Sequence, residues 1–297
     1  MKNKFVRLAL AFFAIFTMTI PGAMANTIEK AKTTGKFTLA YRESSIPFSY
    51  LGEDGKPLGF GWEMCKLIAE EVKKETGRKD LVVESQAVTS QNRIPLIQNG
   101  TVDVECGSTT NNSERGKQVT FAINYFYTGT RFLVKADSGI KSINDLKGKK
   151  VVSTTGTTNY QILRNLNDEK KYGFELLGAK DHADALLMVE SGMANAFGMD
   201  DILLYGLKAS SKESAKLAVV GESIQVEPYA IMFRKDDPKF QALVNKVITN
   251  SMKSGEFEKA YKKWFQTNIP PKNVNLNAPM SKELKDNLKA LSDKPAL

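Results

Sequence analysis

From Lys36 onward, short apolar runs alternate with amphipathic ones, and this alternation stops near residue 130 and then restarts. Such a pattern restricts the chain to parallel-type sheets covered by helices, built as two bodies. FTLAYR (37–42) reads as a strand. Over Gly61–Thr76, the residues Trp62, Cys65, Ile68, Ala69 and Val72 recur at spacings of three and four, which is the period of one helix face. LVVESQAV (81–88), a helix through Ile94, Leu96 and Ile97, and the strand TVDVEC (101–106) complete the first series. In the second, the strand KKVVSTT (149–155) leads to a helix opening at Gly156-Thr157-Thr158. DHADALLMVESG (181–192) reads as another helix, and ANAFGMD (194–200) as a strand ending on Asp200.

Two extended segments rich in β-formers, TGTRFLV around residue 130 and SIQVEPYAIMF (223–233), sit where one series stops and the other begins. If both cross, the chain leaves one lobe, builds a second, and returns with DPKFQALVNKVITNSM and EFEKAYKKWF. The expected fold is therefore α/β, with two lobes of parallel-type sheet flanked by helices and joined by a two-strand hinge. Lobe 1 would hold 26–129 and 226–268, and lobe 2 would hold 130–225. The tail, 269–297, begins IPPKN, where proline cannot continue the preceding helix. One Lys-rich helix near Ser281–Leu291 would then pack on the outside of a lobe.

Residues 1–25 read as an export signal: Lys2, Lys4 and Arg7, then the apolar run LALAFFAIFTMTI, then Pro21-Gly22 and an A-x-A site at Ala23-Met24-Ala25. The apolar run is short for a bilayer about 30 Å thick, so a soluble periplasmic product beginning at Asn26 is expected. Loss of Lys2, Lys4 and Arg7 lowers the net charge from +9 to +6. Lysines scattered along helices, together with export, argue against a nucleic-acid partner. Cys65 and Cys106 are the only cysteines, and in an oxidising compartment they form either one disulfide or two buried thiols.

The chemistry concentrates on three arginines set among hydroxyl residues: Arg42 in YRESS, Arg93 in TSQNR, and Arg115 in GSTTNNSER. Guanidinium forks grip carboxylates through paired hydrogen bonds, so three of them suggest a ligand with more than one carboxylate. Open parallel sheets bind ligands outside the carboxyl ends of their strands. Arg42, then Ser90 and Arg93, then Ser108 and Thr110 follow successive strands, with Arg115 a turn further on. Thr157 and Thr158 start a helix, where either anion binding or simple capping explains them. Asp200 would receive an ammonium group or cap the next helix, and His182, the only histidine, would be either a ligand contact or an ordinary polar residue. No metal-ligand spacing or nucleophile motif occurs, so neither a metal nor a cofactor is expected.

The segments RESSIPFSY, TSQNRIPLIQNGTVD, GSTTNNSER, GTT, AKDHAD and MDD, in that order, resemble the periplasmic amino-acid-binding proteins of ABC transporters, in particular the glutamate/aspartate-binding branch. The resemblance covers nearly the whole mature chain. It implies two lobes that close on a free amino acid, a membrane permease as partner, and a monomer. It further implies that Arg115, Ser108 and Thr110, with Thr158, hold the α-carboxylate and that Asp200 takes the α-ammonium group. Arg42, Ser90, Arg93 and His182 would hold the side-chain carboxylate. Cys65 and Tyr160 depart from the pattern, away from these positions. Three arginines against one aspartate leave a positive excess over a bound glutamate, which Glu43, Asp201 or water would balance. The alternative function is a periplasmic dehydratase or hydrolase on the same scaffold, with His182 as general base.

Overall fold

The computed structural model describes residues 26–296, and the expected export signal over 1–25 lies outside the described residues. Helix α1 (Thr27–Thr34) and strand β1 (Lys36–Tyr41) come first. A ribbon of β2 (Ser44–Ser45), β3 (Ser49–Leu51) and β4 (Pro57–Leu58) follows. Then come α2 (Phe60–Thr76), β5 (Val82–Ala87), α3 (Arg93–Gln98), β6 (Val104–Glu105) and the one-turn helix α4 (Ser113–Gly116). α2 buries Trp62, Cys65, Ile68, Ala69 and Val72, the face selected by its sequence period, and stops at Gly77 in the left-handed region. β6 is shorter than TVDVEC suggests. The Asp103 carboxylate accepts from the Thr38 amide at 2.9 Å, so a side chain takes the place of a ladder carbonyl there.

Strand β7 (Val119–Lys135) leads out of the first lobe. The second lobe contains β8 (Lys150–Thr154), α5 (Thr158–Lys170), β9 (Glu175–Ala179), α6 (His182–Glu190), β10 (Ala196–Asp200), α7 (Asp201–Ser210) and β11 (Leu217–Val220). The chain returns along β12 (Val226–Arg234) into α8 (Pro238–Ser254) and α9 (Glu256–Phe265). It ends with the hairpin of β13 (Asn268–Ile269) and β14 (Val274–Asn275) and with α10 (Lys282–Ala290).

The strand order is β5-β1-β6-β12-β7-β10-β8-β9, with β11 also paired to β7. β1 runs parallel to β5 and β6 in one lobe, and β8 runs parallel to β9 and β10 in the other. β1 is buried along most of its length, as a strand covered by helices on both faces must be. β7 changes partner part-way: Gly129 pairs with Val226 of β12, and the next residue, Thr130, pairs with Asp200 of β10. The return crossing is tied at the same level by the Ile224 amide, which donates to the Thr130 carbonyl at 3.0 Å. Two antiparallel strands thus form the hinge.

Cys65 of α2 and Cys106, just past β6, are joined in a disulfide. Among the described residues, no helix is long and apolar enough to cross a membrane. Past α10 the tail turns inward: the Ala296 amide donates to the Asn111 carbonyl at 2.9 Å, and the buried Asn111 side chain donates to the Asp293 carbonyl at 2.8 Å. It therefore braces the residue next to Thr110, beyond the purely external packing expected of it.

Candidate functional site

The strand ends deliver the chemistry. Arg42 follows β1, Ser90 and Arg93 follow β5, Ser108 to Thr110 follow β6, and Arg115 sits on α4. Facing them, Thr158 starts α5, His182 starts α6 and Asp200 ends β10. Arg42 is 0% exposed and Arg93 is 2% exposed, so neither is a solvated surface residue.

At the Arg42 end, Arg42 Nη2 lies 3.5 Å from Asp181 Oδ2 and 3.4 Å from His182 Nε2, both on the opposite lobe. A guanidinium only donates, so Nε2 is the accepting nitrogen and Nδ1 carries the ring proton, which it gives to Thr154 Oγ1 at 2.8 Å. Burial first, and the Arg42 charge second, push the His182 pKa down to about 3, so the ring is neutral at physiological pH. Ser44 Oγ donates to Asp181 Oδ1 and accepts from the Ala183 amide at 3.3 Å. Arg93 Nη1 donates to Thr109 Oγ1, whose own proton goes to Glu105 Oε2 at 2.5 Å. Burial first, then the charge of Arg115, lower the Arg93 pKa to about 9, with Glu105 opposing. Arg42 Nε and Nη1, Arg93 Nε and Ser90 Oγ are all buried without a hydrogen-bond partner.

The Arg115 end is closed on itself. Arg115 donates through Nη1 to the Thr110 carbonyl at 3.0 Å and through Nη2, across the lobes, to the Gly156 carbonyl at 3.2 Å. Gly156 has φ 79°, and a Cβ there would lie 2.6 Å from Gln91 Cα, so a side chain would force the lobes apart. Thr110 Oγ1 and Thr158 Oγ1 donate to the same atom, Glu227 Oε2, at 2.6 and 2.7 Å. Glu227 Oε1 accepts from Gln225 Nε2 at 2.7 Å. Asp200 accepts from Asn159 Nδ2 at 2.8 Å and from the Tyr229 hydroxyl. Burial first, and the Glu227 charge second, raise the Asp200 pKa well above the usual carboxylate range. Ser108 Oγ donates to Ser45 Oγ at 3.2 Å.

Capping and site chemistry are divided between neighbours. Thr157 caps α5 by accepting from the Tyr160 amide at 3.1 Å, which leaves the Thr158 hydroxyl to the cleft. Asp200 makes no side-chain cap bond, and the Ile202 amide goes to Asp201 Oδ1 at 2.7 Å instead.

Residues 37–267 match the sequence pattern of bacterial extracellular solute-binding proteins, family 3. The chain belongs to that family. It is 50% identical over 274 residues to the L-glutamate/L-aspartate-binding protein of Pseudomonas aeruginosa, covering 92% of this chain and 91% of that one. Against the glutamate/aspartate import solute-binding protein of Escherichia coli, the identity is 45% over 272 residues, with 92% and 90% covered. Among solved structures, an ancestral arginine-binding protein bound to arginine is similar at a TM-score of 0.69 and 31% identity, covering 78% of this chain and 98% of that one. A mutant ArgBP from T. maritima is similar at a TM-score of 0.72 and 26% identity, with 81% and 99% covered.

Sequence reasoning missed several groups in the cleft of this solute-binding protein. Glu105 and Glu227 are both fully buried, and their signal was a carboxylate set among apolar strand residues: Glu105 follows Asp103 at the strand period in VDVEC, and Glu227 is the one carboxylate in VEPYAIM. Asp181 was legible only as the first residue of the helix segment 181–192, and Thr154, Asn159 and Tyr229 left no signal. The charge balance changes accordingly: the arginines face Glu105, Asp181, Asp200 and Glu227, which removes the supposed positive excess. Glu43 is exposed, and Asp201 is occupied by Thr128 Oγ1 at 2.7 Å.

Proposed function

We propose that this protein captures L-glutamate and L-aspartate between its lobes in the periplasm and delivers them, as a monomer, to the permease of an ABC transporter. In this reading residues 1–25 are the export signal. The lobes comprise 26–129 with 226–268, and 130–225, while 269–297 is the tail. Arg42, Ser90, Arg93 and His182 take the side-chain carboxylate. Arg115, Ser108, Thr110 and Thr158 serve the α-carboxylate, and Asp200 the ammonium group. The observation that carries the reading is the set of unpaired buried donors on Arg42, Ser90 and Arg93. A carboxylate can accept from them, whereas the amide of glutamine would leave buried charge unpaired, at a cost of several kcal/mol. Aspartate is one methylene shorter, a difference worth about 1–3 kcal/mol, so both acids fit the chemistry.

The names of the relatives support the same ligands, and they are names of binding proteins, which favours capture without turnover over a hydrolase or dehydratase. A ligand held by Arg42, Arg93 and Arg115 on one lobe and by Thr158, His182 and Asp200 on the other meets all of them only when the lobes close, which gives it the differential affinity that closure requires. Contacts such as Arg42 with His182 and Arg115 with Gly156 support the closed form itself. A thermal-shift screen of the amino acids and small dicarboxylates tests the reading. Glutamate at about 100 times its Kd should stabilise the fold by about 2.7 kcal/mol through mass action, and glutamine at equal concentration should not. A shift with glutamine as large as that with glutamate would overturn it.

A further inference from the structure

Glu227 lies on the hinge strand β12 with no solvent exposure, and hydroxyls from both lobes meet on one of its oxygens. A hydroxyl carries one proton. With those of Thr110 and Thr158 committed to Glu227 Oε2, and the two hydroxyl oxygens 3.2 Å apart, each hydroxyl serves an α-carboxylate only when its proton leaves Glu227, which sets the ligand's carboxylate in direct competition with Glu227. Two buried carboxylates, Glu227 and Asp200, share this end with a single guanidinium, Arg115. Burial first, and repulsion from Glu227 second, raise the proton affinity of Asp200, and both carboxylates oppose the loss of the Arg115 proton. An incoming α-carboxylate that brings no cation adds a further negative charge to this end, whereas one accompanied by an ammonium group leaves the local balance unchanged.

We propose that Glu227 is a specificity-determining residue that makes the α-ammonium group obligatory, so that the cleft accepts α-amino dicarboxylic acids and rejects amine-free dicarboxylates of the same length. The proposal rests on the reading of the cleft as an acidic amino-acid site. Calorimetric titration of L-glutamate and of glutarate, which keeps both carboxylates and lacks the amine, tests it against wild type, Glu227→Gln and Glu227→Ser. In either neutral variant, the preference for glutamate over glutarate should shrink by about tenfold or more, through tighter glutarate binding. An unchanged preference in a variant that melts cooperatively overturns the proposal. The serine variant carries the test if the glutamine variant does not fold. On wild type alone, glutarate should bind at least about a hundredfold more weakly than glutamate, and near-equal affinity overturns the proposal without any variant. Failure of wild type to bind glutamate at all would instead overturn the underlying reading.

Discussion

At the Arg42 and Arg93 end of the cleft, buried donors on Arg42, Arg93 and Ser90 are left without partners, and so is one acceptor, Glu105 Oε1. At the Arg115 end, the guanidinium and both nearby carboxylates are already partnered by the protein itself. The first arrangement stores an unmet demand for a carboxylate. The second is a finished network, and a ligand entering it must match a balance that already exists. On the proposed reading, one cleft combines avidity for an acidic side chain with strict demands on the backbone end of the molecule. The same contrast predicts that equivalent mutations at the two ends will have different consequences.

The largest effect is expected from Arg93→Met. Losing one partner of a desolvated charge pair should weaken glutamate by about 2–5 kcal/mol in calorimetry. Stability without ligand should change by less than about 1 kcal/mol, roughly 2–4 °C in melting temperature, because burial already disfavours this guanidinium. A full collapse of the fold would erase the distinction between the ends. Arg115→Met should behave differently, costing about 1.5–3 kcal/mol of stability as well as affinity, because its bonds to Thr110 and Gly156 tie the lobes together. Denaturation that matches wild type would break the comparison.

A smaller effect is expected from His182→Gln, which should weaken glutamate by about 1–3 kcal/mol. It also sharpens the comparison through pH. Because the folded pKa of about 3 lies below the ordinary value of 6.5, the unfolded chain binds the proton that the folded protein refuses, and stability falls as pH drops through that window. The slope from one such proton is at most about 1.4 kcal/mol per pH unit, and urea melts between those pH values should show a shallower slope in the variant. Identical slopes would mean that His182 is not held neutral.

Much of this was legible in advance. The helix face of α2, the two strand-helix series and the arginines beside strand ends follow from local periodicity and short motifs, which a linear chain displays directly. Capping roles were ambiguous, because Thr157 and Thr158, or Asp200 and Asp201, are chemically alike and adjacent. Only backbone placement decided that Thr157 and Asp201 bond the helix amides while Thr158 and Asp200 face the cleft. The tail looked external because its leucine face is all that the sequence advertises. The Asn111 side chain and the Asp293 carbonyl that join it to the site loop are ordinary residues until they meet.

By itself, the sequence determined the element series, the two extended segments that cross between the sheets and the arginine-rich character of the strand-end rim, since each rests on spacings of a few residues. Only the tertiary structure decided which end of the cleft is left wanting and which is satisfied. Thr110, Thr158 and Glu227 lie on three separate stretches of chain, and their shared hydrogen bonds exist only where the two lobes and the hinge strand come together. Pairing of charge and proton is a property of distance in space, and a chain read in order does not carry it.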